Sequence, residues 1–415
     1  MRLQCTMCGL AGEAGKMVHP CAECGEPLEV RYEPGEIRPD LALTGGGRRC
    51  GILTDFAAVL PGLGSTPVSL GEGGTPCLEL SNLGSRLGLP ELHLKNEGAN
   101  PTGSFKDRGT AMAISWAAGH GFGRVGTVSS GNMAGSVAAY GARAALPCLV
   151  FVPAHLKAEK LFTIGVYGPE LLAVDGDYGQ LYRDALRLGA ERGVYFAVSD
   201  DPWRVEGQKT IAYEIVRDLG RAPDYVFVPT SSGGHLAAII KGFAELVAAG
   251  LVERAPHFVG VQATGCSPIA RAFARGAAVE RFSRVTTAAH AISNPLPPSG
   301  NRLLRALSGH GQGAIISVDD EDMVRAQQLL AAGEGVFVQM ESAAALAGAL
   351  LYARDGRLAP TDLVLLIGTG SGLKDPGAFA GQEFGRQQIS LDQLATIAVP
   401  HSRRTANEDE YPQGM

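Results

Sequence analysis

Lys106 is the residue of this chain best set up for covalent chemistry. It lies in Asn100-Pro-Thr-Gly-Ser-Phe-Lys-Asp-Arg-Gly109. Pro101 and Gly103 break regular structure there. The apolar run that follows Gly109 has helical spacing. Ser104 is the expected N-cap, its hydroxyl accepting from a first-turn amide. Lys106 then falls in the first turn, where the positive end of the helix disfavours an ammonium. The neutral amine is the nucleophile that Schiff-base chemistry requires. The chain has only eight lysines, so the choice is narrow. The plain alternative is a surface lysine at a helix start.

Four of the eight cysteines form a second constellation. Cys5-Thr-Met-Cys8 and Cys21-Ala-Glu-Cys24 stand twelve residues apart, each followed by a glycine, Gly9 or Gly25. Paired Cys-x-x-Cys knuckles at this separation can close a tetrahedral four-thiolate zinc site. Four thiolates leave no open position, so such a zinc is structural. Cys50, Cys77, Cys148 and Cys266 are scattered and read as reduced thiols.

Two further stretches can bind anions. A strand at 124–128 runs into Ser129-Ser-Gly-Asn132, and an Ala-rich helix follows. A strand ending near Pro229 runs into Ser231-Ser-Gly-Gly-His235, with a helix from about 236. In both, free backbone amides at a helix N-terminus face the loop. His235 could serve as a cap, a phosphate partner or a substrate contact.

The Lys106 segment resembles the pyridoxal-phosphate lysine segment of threonine synthases, a branch of the tryptophan-synthase-β-like (fold type II) enzymes. Further motifs follow in that family's order. They are Glu72-Gly-Gly-Thr-Pro76, Ser129-Ser-Gly-Asn132, Glu206-Gly-Gln-Lys-Thr210, the Ser231–Gly234 loop and Thr369-Gly-Ser-Gly-Leu-Lys-Asp375. The resemblance implies an α/β fold of two subdomains with pyridoxal 5'-phosphate between them, and a homodimer. It implies Lys106 as cofactor anchor and base, Asn132 at the ring hydroxyl, and Thr369 at the ring nitrogen. Ser231, Ser232, Gly233, Gly234 and His235 flank the cofactor phosphate. Ser129, Ser130 and Gly131 grip the substrate carboxylate, while Ser199 and Arg204 take the substrate phosphate. For Arg204 the plain alternative is a surface ion pair. A zinc ribbon also heads some members of this family.

The implied reaction converts O-phospho-L-homoserine and water to L-threonine and phosphate. The chain departs from the family pattern at Met133, Val198 and Gln339, where threonine, asparagine and glutamate are usual. Those departures leave a second reading open: β-elimination or β-replacement on serine, phosphoserine or threonine, dehydratase-like or cysteate synthase-like.

These residues need a scaffold of strands alternating with helices. Apolar runs at 149–152, 171–174, 194–198, 224–229, 258–262 and 363–367 are separated by helical stretches such as 178–192. That alternation predicts parallel sheets with crossover helices. We expect a zinc ribbon over 1–35 and a catalytic core over 36–385, with a smaller subdomain at about 115–205. A polar, partly disordered tail is expected over 386–415. The 415 residues are 45% hydrophobic and 19% charged, with net charge −6. No basic stripe speaks for nucleic acid, and no apolar run reaches membrane-spanning length. The N-terminus has no apolar signal core, so a cytoplasmic enzyme acting on a small amino acid is expected.

Overall fold

The computed structural model describes residues 1–14, 19–44, 50–64, 67–154, 156, 158–176, 178–375, 386 and 388–391. The glycine-rich stretch 45–49 and the polar end 403–415 lie outside the described residues. Met1–Lys374 form one compact unit and Asp375–Met415 another.

Among the described residues the first unit holds three sheets. The largest has six strands, in the order Gly313–Val318, His257–Ala263, Tyr225–Pro229, Val364–Gly368, Leu92–Asn96 and Cys77–Glu79. All neighbours are parallel except the last pair. Val364–Gly368 is buried along its whole length, which is why it reads as an unbroken apolar run. Helix Met340–Arg354 covers this sheet, its alanines and leucines sharing one apolar cluster with Val364, Leu366, Phe227 and Val261.

The second sheet has four parallel strands, in the order Glu170–Val174, Cys148–Pro153, Arg124–Val128 and Val194–Phe196. The third is small and antiparallel, with Arg2–Cys5 between Ala11–Gly12 and Leu28–Arg31.

Helices Lys106–Gly119, Pro202–Leu219 and Gly234–Ala248 pack in series. The first two cross closely because two glycines face the contact. A Cβ on Gly207 would lie 2.2 Å from the Arg108 carbonyl oxygen, and one on Gly109 would lie 2.9 Å from that of Arg204. Any side chain there would push the Lys106 helix off the Arg204 helix.

The crossing is pinned by buried charge. Arg108 donates twice to Glu97 and twice to Glu214, at 2.7–2.8 Å. Lys95 adds ion pairs to Glu214 at 3.0 Å and to Asp218 at 2.6 Å. Arg108 and Lys95 hold the Glu214 carboxyl far below the usual carboxylate range against the opposing effect of burial. Buried charges persist only when paired and hydrogen-bonded this fully.

The N-terminal sheet is tied to the same helices. Lys241 donates to the Val30 carbonyl at 2.5 Å, and Tyr32 donates to Glu206. His19 pairs with Asp200 at 3.2 Å. Arg302 and Arg305 reach Glu29 at 3.1 Å and Glu26 at 2.8 Å.

Candidate active site and thiolate cluster

Lys106 is the first residue of its helix. The residue before it, Phe105, holds the N-cap position with no side-chain cap bond. This corrects the expectation for Ser104. Ser104 is instead bridged to Gly370 across the chain, and the Phe105 amide donates to the Thr369 carbonyl at 3.0 Å. The turn is therefore held by the segment after strand Val364–Gly368, and the Ser104 hydroxyl is buried without a partner.

The half-buried Lys106 side chain places Nζ 4.2 Å from the centre of the Phe105 ring. Burial, then the neighbouring Arg204 guanidinium, pull its pKa down to about 7. The lowered value expected from the sequence is present, with burial its largest cause and the Arg204 charge the next.

Asn132 opens helix Asn132–Arg143 and donates to Gln339 Oε1 at 2.7 Å. Gln339 caps helix Met340–Arg354, and its amide donates to the Gly370 carbonyl at 2.9 Å. The Thr369 hydroxyl lies 2.8 Å from that of Ser342. Asn132, Gln339, Ser342 and Thr369 thus form one hydrogen-bonded patch, joined to the Lys106 turn through the Thr369 carbonyl. Ser129 and Ser130 are half-buried and Gly131 is exposed in the loop before Asn132. Met133 is buried and packs in the core.

Around Ser231-Ser-Gly-Gly234 the backbone is shaped for an anion. Gly233 has φ +87°, and a Cβ there would sit 2.8 Å from the Ser299 carbonyl oxygen. Among the described residues, the amides of Ser231 to Leu236 donate to no protein acceptor. His235 stacks on Phe105 with ring centres 3.9 Å apart. Its Nδ1 lies 3.3 Å from Gln208 Oε1, and Nε2 has no partner among the described residues. Burial, with Lys106, Arg108 and Arg204 adding to it, keeps this ring neutral.

Arg204 is no surface ion pair. It is fully buried, and the Asp201 carboxylate that caps its helix accepts from its amide at 3.3 Å. One guanidinium nitrogen donates to Thr110 Oγ1 at 2.7 Å, while Nε and Nη2 find no partner among the described residues. Burial lowers its pKa to about 10. A buried guanidinium with two idle donors is equipped to take an anion. Ser199 is half-buried, and its carbonyl would lie 2.9 Å from a Cβ on Gly234. The Arg204 helix and the Ser231–Gly234 loop are therefore neighbours. Val198 lies in an apolar cluster with Val128, Phe151 and Phe196, and supplies no donor.

Several contributors are not legible as site residues in the sequence. Thr110 aims Arg204, Ser342 holds Thr369, and Gln208 holds His235. Thr110 and Ser342 are ordinary helix residues until the fold brings their partners to them, and Gln208, although inside the Glu206–Thr210 motif, shows its contact with His235 only in the fold.

The Sγ atoms of Cys5, Cys8, Cys21 and Cys24 all lie within 4.8 Å of one another. Cys5 and Cys24 approach to 3.4 Å, and Cys8 and Cys21 to 3.7 Å. Tetrahedral zinc with bonds of about 2.3 Å spaces its sulfurs by about 3.8 Å, so the four thiols fit such an ion. No described helix is long and apolar enough to cross a membrane.

The sequence profile of the pyridoxal-phosphate dependent enzyme family matches residues 68–370. The chain is 37% identical over 382 residues to a threonine synthase of Methanocaldococcus jannaschii, covering 91% of this chain and 94% of that one. It is 38% identical to a threonine synthase of Mycobacterium tuberculosis, covering 84% and 95%. Among solved structures, maize serine racemase superposes with a TM-score of 0.63 at 21% identity, covering 74% and 90%. A fungal L-serine ammonia-lyase from Rhizomucor miehei gives 0.64 at 22% identity, covering 74% and 95%.

Proposed function

The chain belongs to the pyridoxal-phosphate dependent enzyme family, and from that premise we propose that it is a threonine synthase-like lyase converting O-phospho-L-homoserine and water to L-threonine and phosphate. The observation that carries this reading is the pairing on two touching helices of Lys106, a lysine with a depressed pKa, and Arg204, a buried arginine with idle donors.

The residues present suit the cofactor. Unpartnered amides and the tight Gly233 turn offer a phosphate cradle, Lys106 an amine, and Asn132 and Thr369 polar contacts for a ring. Ser231, Ser232, Gly233, Gly234 and His235 are assigned to the cofactor's phosphate side. When bound, pyridoxal phosphate supplies an aldehyde for the substrate's amino group and a ring that draws electrons from Cα.

With the cofactor and substrate bound, the Lys106 amine would remove the Cα proton through Nζ. Its neutral form near pH 7 is the one that can accept. A Cβ proton then leaves, phosphate departs from Cγ, a proton is delivered to Cγ to make the methyl, water adds its hydroxyl at Cβ with its proton passing to the released phosphate, and Cα is reprotonated. Ser129, Ser130 and Gly131 hold the substrate carboxylate, and Arg204 with Ser199 holds the phosphate. A homodimer acting in the cytoplasm accompanies this reading.

Val198 keeps β-elimination or β-replacement on serine, phosphoserine or threonine as the second reading, because it supplies no phosphate donor. The holoenzyme incubated with each amino acid separates the two. Phosphate and threonine in equal amounts from O-phosphohomoserine support the first. Keto acid from serine or threonine, with no phosphate from O-phosphohomoserine, sinks it.

We further assign a structural zinc to Cys5, Cys8, Cys21 and Cys24. Elemental analysis should find about one zinc per chain. Chelation should lower the melting temperature more than it changes turnover measured below that temperature, because a closed thiolate site contributes folding energy and no open coordination position. Unchanged melting after complete zinc removal would refute the assignment.

A further inference from the structure

Ser299 stands just before helix Gly300–His310, at the N-cap position. A serine there ordinarily accepts from an amide of the first turn. Here the side chain makes no cap bond, is fully buried, and has no partner for Oγ among the described residues. The backbone of Ser299 is nonetheless firmly held, since its amide donates to the Ser232 carbonyl at 3.0 Å and its carbonyl accepts from Leu303 at 2.9 Å.

Its neighbours are the free amides of the Ser231–Gly234 loop. A Cβ on Gly234 would lie 3.5 Å from Ser299 Oγ, and one on Gly233 would lie 2.8 Å from the Ser299 carbonyl. A buried hydroxyl left unpaired is costly. This one borders the N-terminus of a fifteen-residue helix, Gly234–Ala248, whose first amides are also unpaired. Donors that converge on one place without a protein acceptor define an anion site.

We propose that Ser299 Oγ donates a hydrogen bond to the phosphate monoester of the cofactor, completing the cradle that the Ser231–Gly234 amides begin. The proposal rests on the cofactor part of the reading above and is independent of which substrate is turned over.

The test compares wild type with Ser299→Ala, after resolving the cofactor and titrating it back without substrate. Loss of one hydrogen bond to a charged group should weaken pyridoxal phosphate binding roughly ten- to a hundredfold. Binding of pyridoxal, which lacks the phosphate, should be unchanged, and the phosphorus resonance of the bound cofactor should shift. The apoprotein's melting temperature should hold or rise, because the hydroxyl has no protein partner to lose. If Ser299→Ala fails to fold, Ser299→Cys, which is similar in size and a poor donor, carries the same comparison. Equal weakening of pyridoxal and pyridoxal phosphate would overturn the proposal, as would unchanged affinity for both. A raised KM for O-phosphohomoserine with cofactor affinity intact would overturn it too.

Discussion

Lys106→Ala should reduce phosphate release from O-phosphohomoserine to background. Loss of a positioned general base alone costs roughly 10²–10⁴-fold in rate, or about 3–5 kcal/mol of barrier, and the cofactor's anchor goes with it. Lys106→Arg should not rescue, because a guanidinium stays protonated at working pH. Reductive labelling of the apoprotein with pyridoxal phosphate and borohydride gives a second readout. The label should map to Lys106, and its rate should climb as pH rises through about 7 and then level. The sign follows from burial and Arg204, which disfavour the ammonium, so the reactive neutral amine is already abundant near neutrality. An ordinary lysine would need a pH near 10.5. Four rivals are occupied: Lys95, Lys209 and Lys241 in ion pairs, and Lys374 donating to the Thr102 carbonyl. A label mapped to Lys374 instead would move the active site by one side chain and overturn the assignment.

How much of this is legible in the sequence depends on how local each feature is. The strand Arg124–Val128 and the helix Tyr178–Arg192 fall where the apolar runs predict them. Their signal is the period of their own side chains and needs no partner. The strand Gly313–Val318 is harder to see, because only Ala314, Ile315 and Ile316 form its apolar stretch and it lies on the sheet edge. The start of the Lys106 helix is misread from sequence for a related reason. Ser104 has the right chemistry for a cap, but Gly370, far along the chain, engages its backbone.

The site divides in the same way. Lys106, Asn132, Arg204 and Thr369 are readable because each sits in a short motif of uncommon residue order. Arg204's neutral partner Thr110 is not, since its meaning comes from the closeness of the two helices that the Gly109–Gly207 crossing permits, and the orphaned Ser299 hydroxyl is not, since its meaning comes from the close approach of Gly233 and Gly234. The cause of the depressed Lys106 pKa belongs with these. The helix end is visible in the sequence, whereas the Arg204 charge beside it is visible only in the fold.

Arg204 therefore supports the second large prediction, in which activity and stability move apart. A phosphate monoester carries close to two negative charges at neutral pH, and Nε and Nη2 of Arg204 are both free to donate. Losing two charge-assisted hydrogen bonds, at about 1.5–3 kcal/mol each, should lower kcat/KM for O-phosphohomoserine roughly 10²–10⁴-fold in Arg204→Met. Arg204→Lys should fall between, since it keeps the charge and loses the planar fork. Turnover of unphosphorylated serine or threonine, where it occurs, should change far less. Stability should go the other way. The guanidinium is fully buried, Nε and Nη2 have no partner among the described residues, and burial still outweighs the favourable charges of Asp201 and Asp107, so an apolar side chain of similar length removes an incompletely compensated desolvation cost. The melting temperature of Arg204→Met apoprotein should hold or rise while the phosphorylated substrate is lost, as expected where a site keeps a destabilising group for function. An arginine retained only for the fold would give the opposite pattern: lower melting, and equal losses on phosphorylated and unphosphorylated amino acids. That outcome would remove the phosphate role of Arg204 and return the reaction to the β-elimination reading that Val198 keeps open.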